Sequence, residues 1–269
     1  MNKATRERTR MSRSLVTGAG KRLGRTMALY LAGRGQDVAV HYAHSTDAAN
    51  AVVSEIRAMG RKAVALKADL LDEVQSTALL PEAAEALGGP VTCLVNNASI
   101  FEHDTIHSAT RESWDRHLGS NLRAPFVLIQ AMAAQGLVPA TDDAGEPVAT
   151  GLIVNMIDER VRKLTPEFMT YTLAKMGLWA LTQTASRALA PAIRVNAIGP
   201  GPTLQGKRQT GAHFAAQRAA TILERGANPQ DITAALGYFL DAPAVTGQLL
   251  CVDGGQHLGW RTPDVLGVE

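Results

Sequence analysis

Short apolar, β-branched runs alternate along this chain with longer stretches in which apolar residues recur every three or four positions. A short apolar run flanked by turn formers reads as a buried strand, and the longer periodic stretch after it as a crossover helix. Seven strands are predicted: SLVTG (14–18), DVAVHY (37–42), one within KAVALKADL (62–70), TCLVNNA (92–98), GLIVNMI (151–157), IRVNAI (193–198) and QLLCVDG (248–254). Helices are predicted from the end of the first strand to about Arg34, and over 46–59, 71–87, 110–135, 168–189 and 230–240. The Gly-, Pro- and Asp-rich stretch 136–151 reads as a loop. Residues 202–228 lack a strand pattern and read as a helical flap.

Strands this continuously apolar are covered on both faces, which is the habit of parallel sheets. The expected fold is therefore α/β, a single-domain Rossmann-type doubly wound parallel sheet of seven strands with helices on both faces. Its ligand crevice belongs at the carboxyl ends of the strands, under the flap. The domain is expected over 13–260, with a basic tail at 1–12 and a further tail at 261–269. Small residues dominate and aromatics make up only 4%, which suits helices laid closely on a sheet.

Charge changes the picture little. The net charge of +2 is spread along the chain, except in MNKATRERTRMSR, which has no apolar stripe and reads as a disordered tail. Basic residues do not interleave with aromatics elsewhere, so no nucleic-acid surface is expected. No apolar run approaches a membrane span. Cys93 and Cys251 sit in strand-like runs and read as packing residues, with no disulfide framework or zinc spacing. His103 and His107 lack a third ligand, so no metal is expected. These features place the chain in the cytoplasm.

TGAGKRLG, from Thr17 to Gly24, joins the first strand to a helix. Gly18 and Gly24 allow a sharp turn and a close approach, and the helix start offers N–H groups to a pyrophosphate. Lys21 and Arg22 add cations. After the second strand the chain reads HYAHST, with no acid to hold ribose hydroxyls until Asp47. Together with Arg22, His44 and Ser45 this favours a 2′-phosphate, and so NADPH. Taken singly, Arg22 is equally well a solvated arginine at a helix start.

YTLAK places Tyr171 and Lys175 at i and i+4 on one helix face. A nearby ammonium should lower the phenol's pKa and make Tyr171 a proton donor or acceptor closer to neutral pH. Asp158 lies thirteen residues before Tyr171, just past the fifth strand, as a second acid or as a simple loop cap. NNAS (96–99) ends the fourth strand, Asn121 should pack beside it, and IGPG (198–201) ends the sixth.

With these motifs in place the chain resembles the short-chain dehydrogenase/reductase family over nearly its whole length after residue 13. Within it, TGAGKRLG, HYAHS, NNASIF, GSN at 119–121, NMID, GPGPT and VDGG are similar to pteridine reductases and dihydromonapterin reductases. Asp158 stands where most of the family has serine. The resemblance implies that Tyr171 protonates the substrate, Lys175 holds the nicotinamide ribose, Asn121 supports a water-linked path to Lys175, and Asp158 is a second acid. It implies that Leu23, Asp69, Leu70, Asn97, Ala98 and Ser99 line the NADPH, as do Pro200 and Gly201 with the turn residues above. It also implies that Ser99, Phe101, Asp158 and Tyr171 contact a pterin-like substrate, and that the assembly is a homotetramer. A ketone or 3-oxoacyl reductase and a non-catalytic NADPH-binding regulator are the competing expectations. Phe101 as a core plug and Trp114, Trp179 and Trp260 as packing residues are the plain structural readings.

Overall fold

The computed structural model describes residues 12–206 and 209–262. In chain order the elements are β1 (Arg13–Val16), α1 (Arg22–Gly33), β2 (Asp37–Tyr42), α2 (Thr46–Ala58), β3 (Ala63–Lys67), α3 (Glu73–Leu87), β4 (Cys93–Asn96) and α4 (Arg111–Leu118). They continue with a π-helical turn (Gly119–Arg123), α5 (Ala124–Ala134), β5 (Ala140–Thr141), β6 (Pro147–Val148), β7 (Gly151–Met156) and a 3₁₀ turn (Glu159–Arg162). The last are α6 (Met169–Ala188), β8 (Ile193–Pro200), α7 (Gly211–Ala219), α8 (Pro229–Asp241), β9 (Leu249–Val252) and a 3₁₀ turn (Gln256–Leu258).

Seven strands form one parallel sheet in the order β3-β2-β1-β4-β7-β8-β9. The order reverses between β1 and β4, which opens a crevice at their carboxyl ends. Side chains alternate across the sheet, so neighbours in sequence serve opposite layers. Val16, Val95, Leu152 and Val154 pack with α1, α2 and α8 through Met27, Leu31, Ile56 and Phe239. Leu15, Leu94, Ile153 and Val195 pack with α3, α5 and α6 through Leu79, Leu80, Leu128 and Ala185. Both layers are apolar, which is why the strands read as unbroken apolar runs.

Three expectations need correction. The single helix over 110–135 is broken by the π turn at 119–123, just before Pro125 at the start of α5. Proline has no N–H for the carbonyl four residues back, so the ladder widens there. The loop 136–151 contains a short antiparallel hairpin, β5 with β6. Among its described residues the flap forms a helix only over α7. The tail at 1–11 and residues 263–269 lie outside the described residues.

Gly24 shows how tightly the first turn is closed. A Cβ there would lie 2.3 Å from the Gly18 carbonyl oxygen and 2.6 Å from Asn97 Nδ2. Gly24→Ala should therefore cost about 1–3 kcal/mol in urea denaturation. Gly33→Ala, with nothing within 4 Å of its Cβ, is the matched control and should cost nothing. Equal midpoints for the two variants would contradict this packing.

Candidate active site

The turn after β1 is held from below by polar side chains. Gly18 has φ +63°, a conformation glycine adopts without penalty. Its N–H donates to His41 Nδ1 at 3.0 Å, and His41 Nε2 lies 3.0 Å from the Ala68 carbonyl oxygen. Those contacts require the neutral tautomer with the proton on Nε2, and burial lowers the His41 pKa accordingly. Thr17 Oγ1 accepts from the Asn97 and Ala98 N–H groups at 2.9 Å, while Asn97 Nδ2 donates to the Thr17 carbonyl at 2.8 Å. Gly18, Gly24, Asn97 and Ala98 are thus brought together, with the Asn97 side chain tying β4 to the turn.

A polar hollow of about 460 Å³ lies beside this turn, lined by Lys21, His44, Ser45, Thr46, Asp47 and Ala48. The N-terminus of α2 opens into it, and the Ser45 side chain makes no capping bond to the helix. Free N–H groups and a cation in one hollow favour a phosphate. Arg22 does not line this hollow. Its guanidinium reaches the flap instead, donating to the carbonyls of Gln205 at 2.9 Å and Leu204 at 3.1 Å. With φ +53° its backbone is left-handed, an uncommon state for a non-glycine residue. Adjacent residues leave a turn in different directions, and here Lys21 takes the one expected for Arg22.

The other residues expected around the cofactor divide. Leu70 belongs to the core with Leu79 and Leu94, and Leu23 packs on the opposite layer. Asp69 is exposed and accepts from the Leu71 N–H at 3.0 Å. Ser99 is exposed at the end of β4. Pro200 ends β8 and Gly201 follows it, and a Cβ on Gly201 would meet Asp253 Cβ at 2.6 Å.

Asp158, Tyr171 and Lys175 meet where β7 faces α6. The buried Tyr171 hydroxyl donates to Asp158 Oδ2 at 2.8 Å. Asp158 Oδ1 accepts from the Arg160 N–H at 2.9 Å, capping the 3₁₀ turn. The cap and the site are therefore the same carboxylate. Lys175 Nζ donates to the Met156 carbonyl at 2.8 Å and lies 5.6 Å from the Tyr171 ring centroid. Asn121, in the π turn, donates from Nδ2 to the Ile100 carbonyl at 2.8 Å and accepts the Ile100 N–H at 2.9 Å. Its side chain sets the loop that carries Ser99 and Phe101.

The electrostatics correct one expectation. The Tyr171 phenol is held well above its usual range, not below it, by burial first and then by the Asp158 charge. The carboxylate touches the hydroxyl directly, while the ammonium does not. Burial in turn pushes Lys175 down to about 8. The arrangement keeps a proton on Tyr171 and offers it along the bond to Asp158.

Phe101 does not plug the core. It is 45% exposed, stacks on Phe168 at 4.3 Å with planes 10° apart, and meets Tyr171 edge-on at 4.7 Å. Phe168 has φ +58° and is the residue immediately before α6. Behind it, His117 is buried, with Nδ1 2.7 Å from Thr170 Oγ1 and Nε2 accepting the Glu102 N–H at 3.1 Å. Asp104 also bonds Thr170. His117 and Phe168 had no sequence signal, His41 was one position of an apolar strand run, and Glu159 was legible only as part of the charged stretch 159–163; only the fold shows what each of them faces. Glu159 is buried and pushed up to about 7 by burial. Among the described residues no three His, Cys, Asp or Glu side chains gather as a metal site, and no helix is long and apolar enough to cross a membrane.

A family model described as enoyl-(acyl carrier protein) reductase matches residues 18–257. The 3-oxoacyl-[acyl-carrier-protein] reductase FabG of Staphylococcus epidermidis is 32% identical over 250 residues, covering 91% of this chain and 98% of its own. The FolM alternative dihydrofolate reductase 1 of Brucella suis, solved in complex with NADP, is 39% identical with a TM-score of 0.86, over 94% of this chain and 98% of that one. A short chain dehydrogenase of Burkholderia cenocepacia, also with NADP, is 33% identical with a TM-score of 0.82, over 93% and 99%.

The His41 geometry makes a stability prediction. Its pKa is lower folded than unfolded, so the unfolded chain binds the extra proton first. The stability it contributes is present above the unfolded value near 6.5 and is lost as pH falls through it toward the lower folded value. Denaturant midpoints between pH 7.5 and 5 should fall in the wild type and fall less in His41→Gln. Parallel curves would count against this role.

Proposed function

This chain belongs to the short-chain dehydrogenase/reductase family, and we propose that within it the protein is an NADPH-dependent reductase of a pterin-like flat heterocycle, converting a dihydropterin to its tetrahydro form. The observation that carries this reading is the Tyr171–Asp158 hydrogen bond. A serine hydroxyl beside the tyrosine would only hydrogen-bond a substrate. A carboxyl group can hold a proton and pass it to an imine-like ring nitrogen, which simple ketones lack. Phe101, exposed beside Tyr171, supplies a flat wall for such a ring.

The residues present fit the cofactor. Gly18 and Gly24 let the backbone approach a pyrophosphate, and the hollow of Lys21, His44 and Ser45 at the start of α2 suits a 2′-phosphate. Arg22 anchors the flap across the same site, Asp69, Ala98, Ser99, Pro200 and Gly201 lie at the strand ends around it, and Leu23 and Leu70 pack in the apolar layers beneath. When bound, NADPH supplies the hydride. Lys175 orients the ribose by its ammonium, and Asn97 keeps the turn closed. Asn121 positions the loop bearing Ser99 and Phe101 against the substrate. One proton accompanies the hydride, and the hydrogen-bonded pair of Tyr171 and Asp158 passes it to the ring nitrogen. A homotetrameric assembly and a cytoplasmic location belong to the same proposal.

A second reading, reduction of a ketone or 3-oxoacyl group, is favoured by the 32% identity to the Staphylococcus epidermidis enzyme. Steady-state assays with dihydrobiopterin, dihydromonapterin and a ketone panel separate the two, and ketones turned over far faster than any pterin would remove the pterin reading. Tyr171→Phe should lower kcat by roughly a hundredfold or more while NADPH still binds. Because Lys175 is a cation only below about 8, kcat/KM should decline as pH rises through that value. A level profile to pH 10 would contradict that role. NADPH should bind far more tightly than NADH, and Lys21→Ala should narrow the gap more than Arg22→Ala does. Equal affinities in the wild type would sink the 2′-phosphate assignment.

A further inference from the structure

The segment Glu159–Lys163 is unusually charged for the mouth of an aromatic site, and Arg160 is its one cation that turns onto the aromatic wall. Its guanidinium carbon lies 5.1 Å from the Phe168 ring centroid. Phe168 stacks on Phe101, which meets Tyr171 edge-on, so Arg160, Phe168, Phe101 and Tyr171 form one continuous surface.

The hydrogen bonds of Arg160 differ from those of most other arginines. Arg116, Arg123 and Arg225 pair with acids and Arg218 is spent on backbone carbonyls, while Arg194, which also keeps a buried Nε without a partner, gives its Nη1 to two carbonyls away from the aromatic wall. Arg160 uses only Nη1, which donates to Thr165 Oγ1 at 2.5 Å. Its Nε is buried with no partner, and no acidic side chain among the described residues pairs with the guanidinium. The unused edge is the pair Nε–H and Nη2–H. Two parallel donors on a rigid plane match the two oxygens of a carboxylate or phosphate. A buried donor without an acceptor costs stability, and such groups need an explanation, which a ligand supplies. Glu159 does not supply one: it is adjacent in sequence, yet its own Oε2 is buried without a partner.

We infer that Arg160 is a specificity-determining residue whose half-buried guanidinium, paired with no acid among the described residues, binds an anionic group, a carboxylate or phosphate, on the substrate's tail remote from the reduced ring. The inference rests on the reading that a flat ring lies along Phe101. Stacking on Phe168 fixes the guanidinium plane, so little side-chain freedom is lost when the anion docks. A neutral tail would leave the guanidinium without an acidic partner, and the discrimination follows from that difference.

The test compares kcat/KM for substrates that share a ring but differ in the tail: dihydrofolate with a carboxylate tail, dihydroneopterin monophosphate with a phosphate tail, and dihydrobiopterin with a neutral one. The wild type should favour at least one anionic substrate over the neutral one, and which one identifies the anion. Arg160→Met, which keeps the stem, should reduce that ratio by roughly tenfold to a hundredfold through KM, and Arg160→Lys should restore part of it. An unchanged ratio in Arg160→Met, or no anionic preference in the wild type, overturns the inference and leaves the pterin reading standing. If no pterin is turned over, that reading falls, and the same ratio is then measured on an aromatic keto acid and its methyl ester. Loss of an acid preference in Arg160→Met would still support the anion site, and its absence would overturn it. A circular dichroism melt of each variant confirms that the ratios come from folded protein.

Discussion

A parallel sheet covered on both faces has almost no place for a working polar side chain except where its strands end. The two apolar layers on this sheet take every side chain from Leu15 and Val16 to Leu152, Ile153 and Val154. The residues proposed for cofactor and chemistry therefore gather at the carboxyl edge: Gly18 after β1, His44 after β2, Asn97 after β4, Asp158 after β7 and Gly201 after β8. Most polar groups kept inside are bonded, as in the Asn96 to Asn155 to Thr182 series that crosses from β4 to α6 at 2.8 and 2.9 Å, although Asn96 Oδ1 itself has no partner. That series braces the strand ends carrying the loops with Phe101 and Asp158.

Burial also sets the chemistry at the edge. Tyr171, Lys175 and Glu159 each lose water, and each moves toward its uncharged form. For an acid that must deliver a proton, this is useful, because a phenol kept neutral is always loaded. Asp158 is the half-buried member of the set. It reaches solvent while touching the Tyr171 hydroxyl, so it can connect the buried proton to the outside. The backbone bond from Arg160 holds that carboxylate in place, and the side chain of the same residue turns onto Phe168. One short turn thus orients the acid and shapes the mouth.

The flap is joined to the phosphate turn in a comparable way. Arg22 leaves a left-handed backbone position to reach two flap carbonyls, linking residues far apart in sequence. A strained conformation of this kind persists when its surroundings hold it, and the two charge-assisted bonds are such a hold. The polar hollow is left to Lys21, His44 and Ser45.

The sequence by itself determined the fold, because hydrophobic periodicity reports directly which faces are covered. Its seven apolar runs became the seven strands, with ends shifted by a residue or two. It also determined which residues are chemically able: Tyr171 and Lys175 share a helix face by the α-helical repeat, and Asp158 follows a strand end by position alone. The tertiary structure decided what depends on distance and direction. Whether Tyr171 feels Lys175 or Asp158 more strongly rests on which one touches its hydroxyl, and no spacing rule carries that. Lys21 and Arg22 are adjacent cations, and only the path of the turn sends one to the hollow and the other to the flap. His41, His117 and Phe168 look ordinary along the chain because their partners are 15 to 67 residues away (Glu102 for His117, Gly18 and Ala68 for His41, Phe101 for Phe168). Contacts of that kind exist only once the strands have ended side by side.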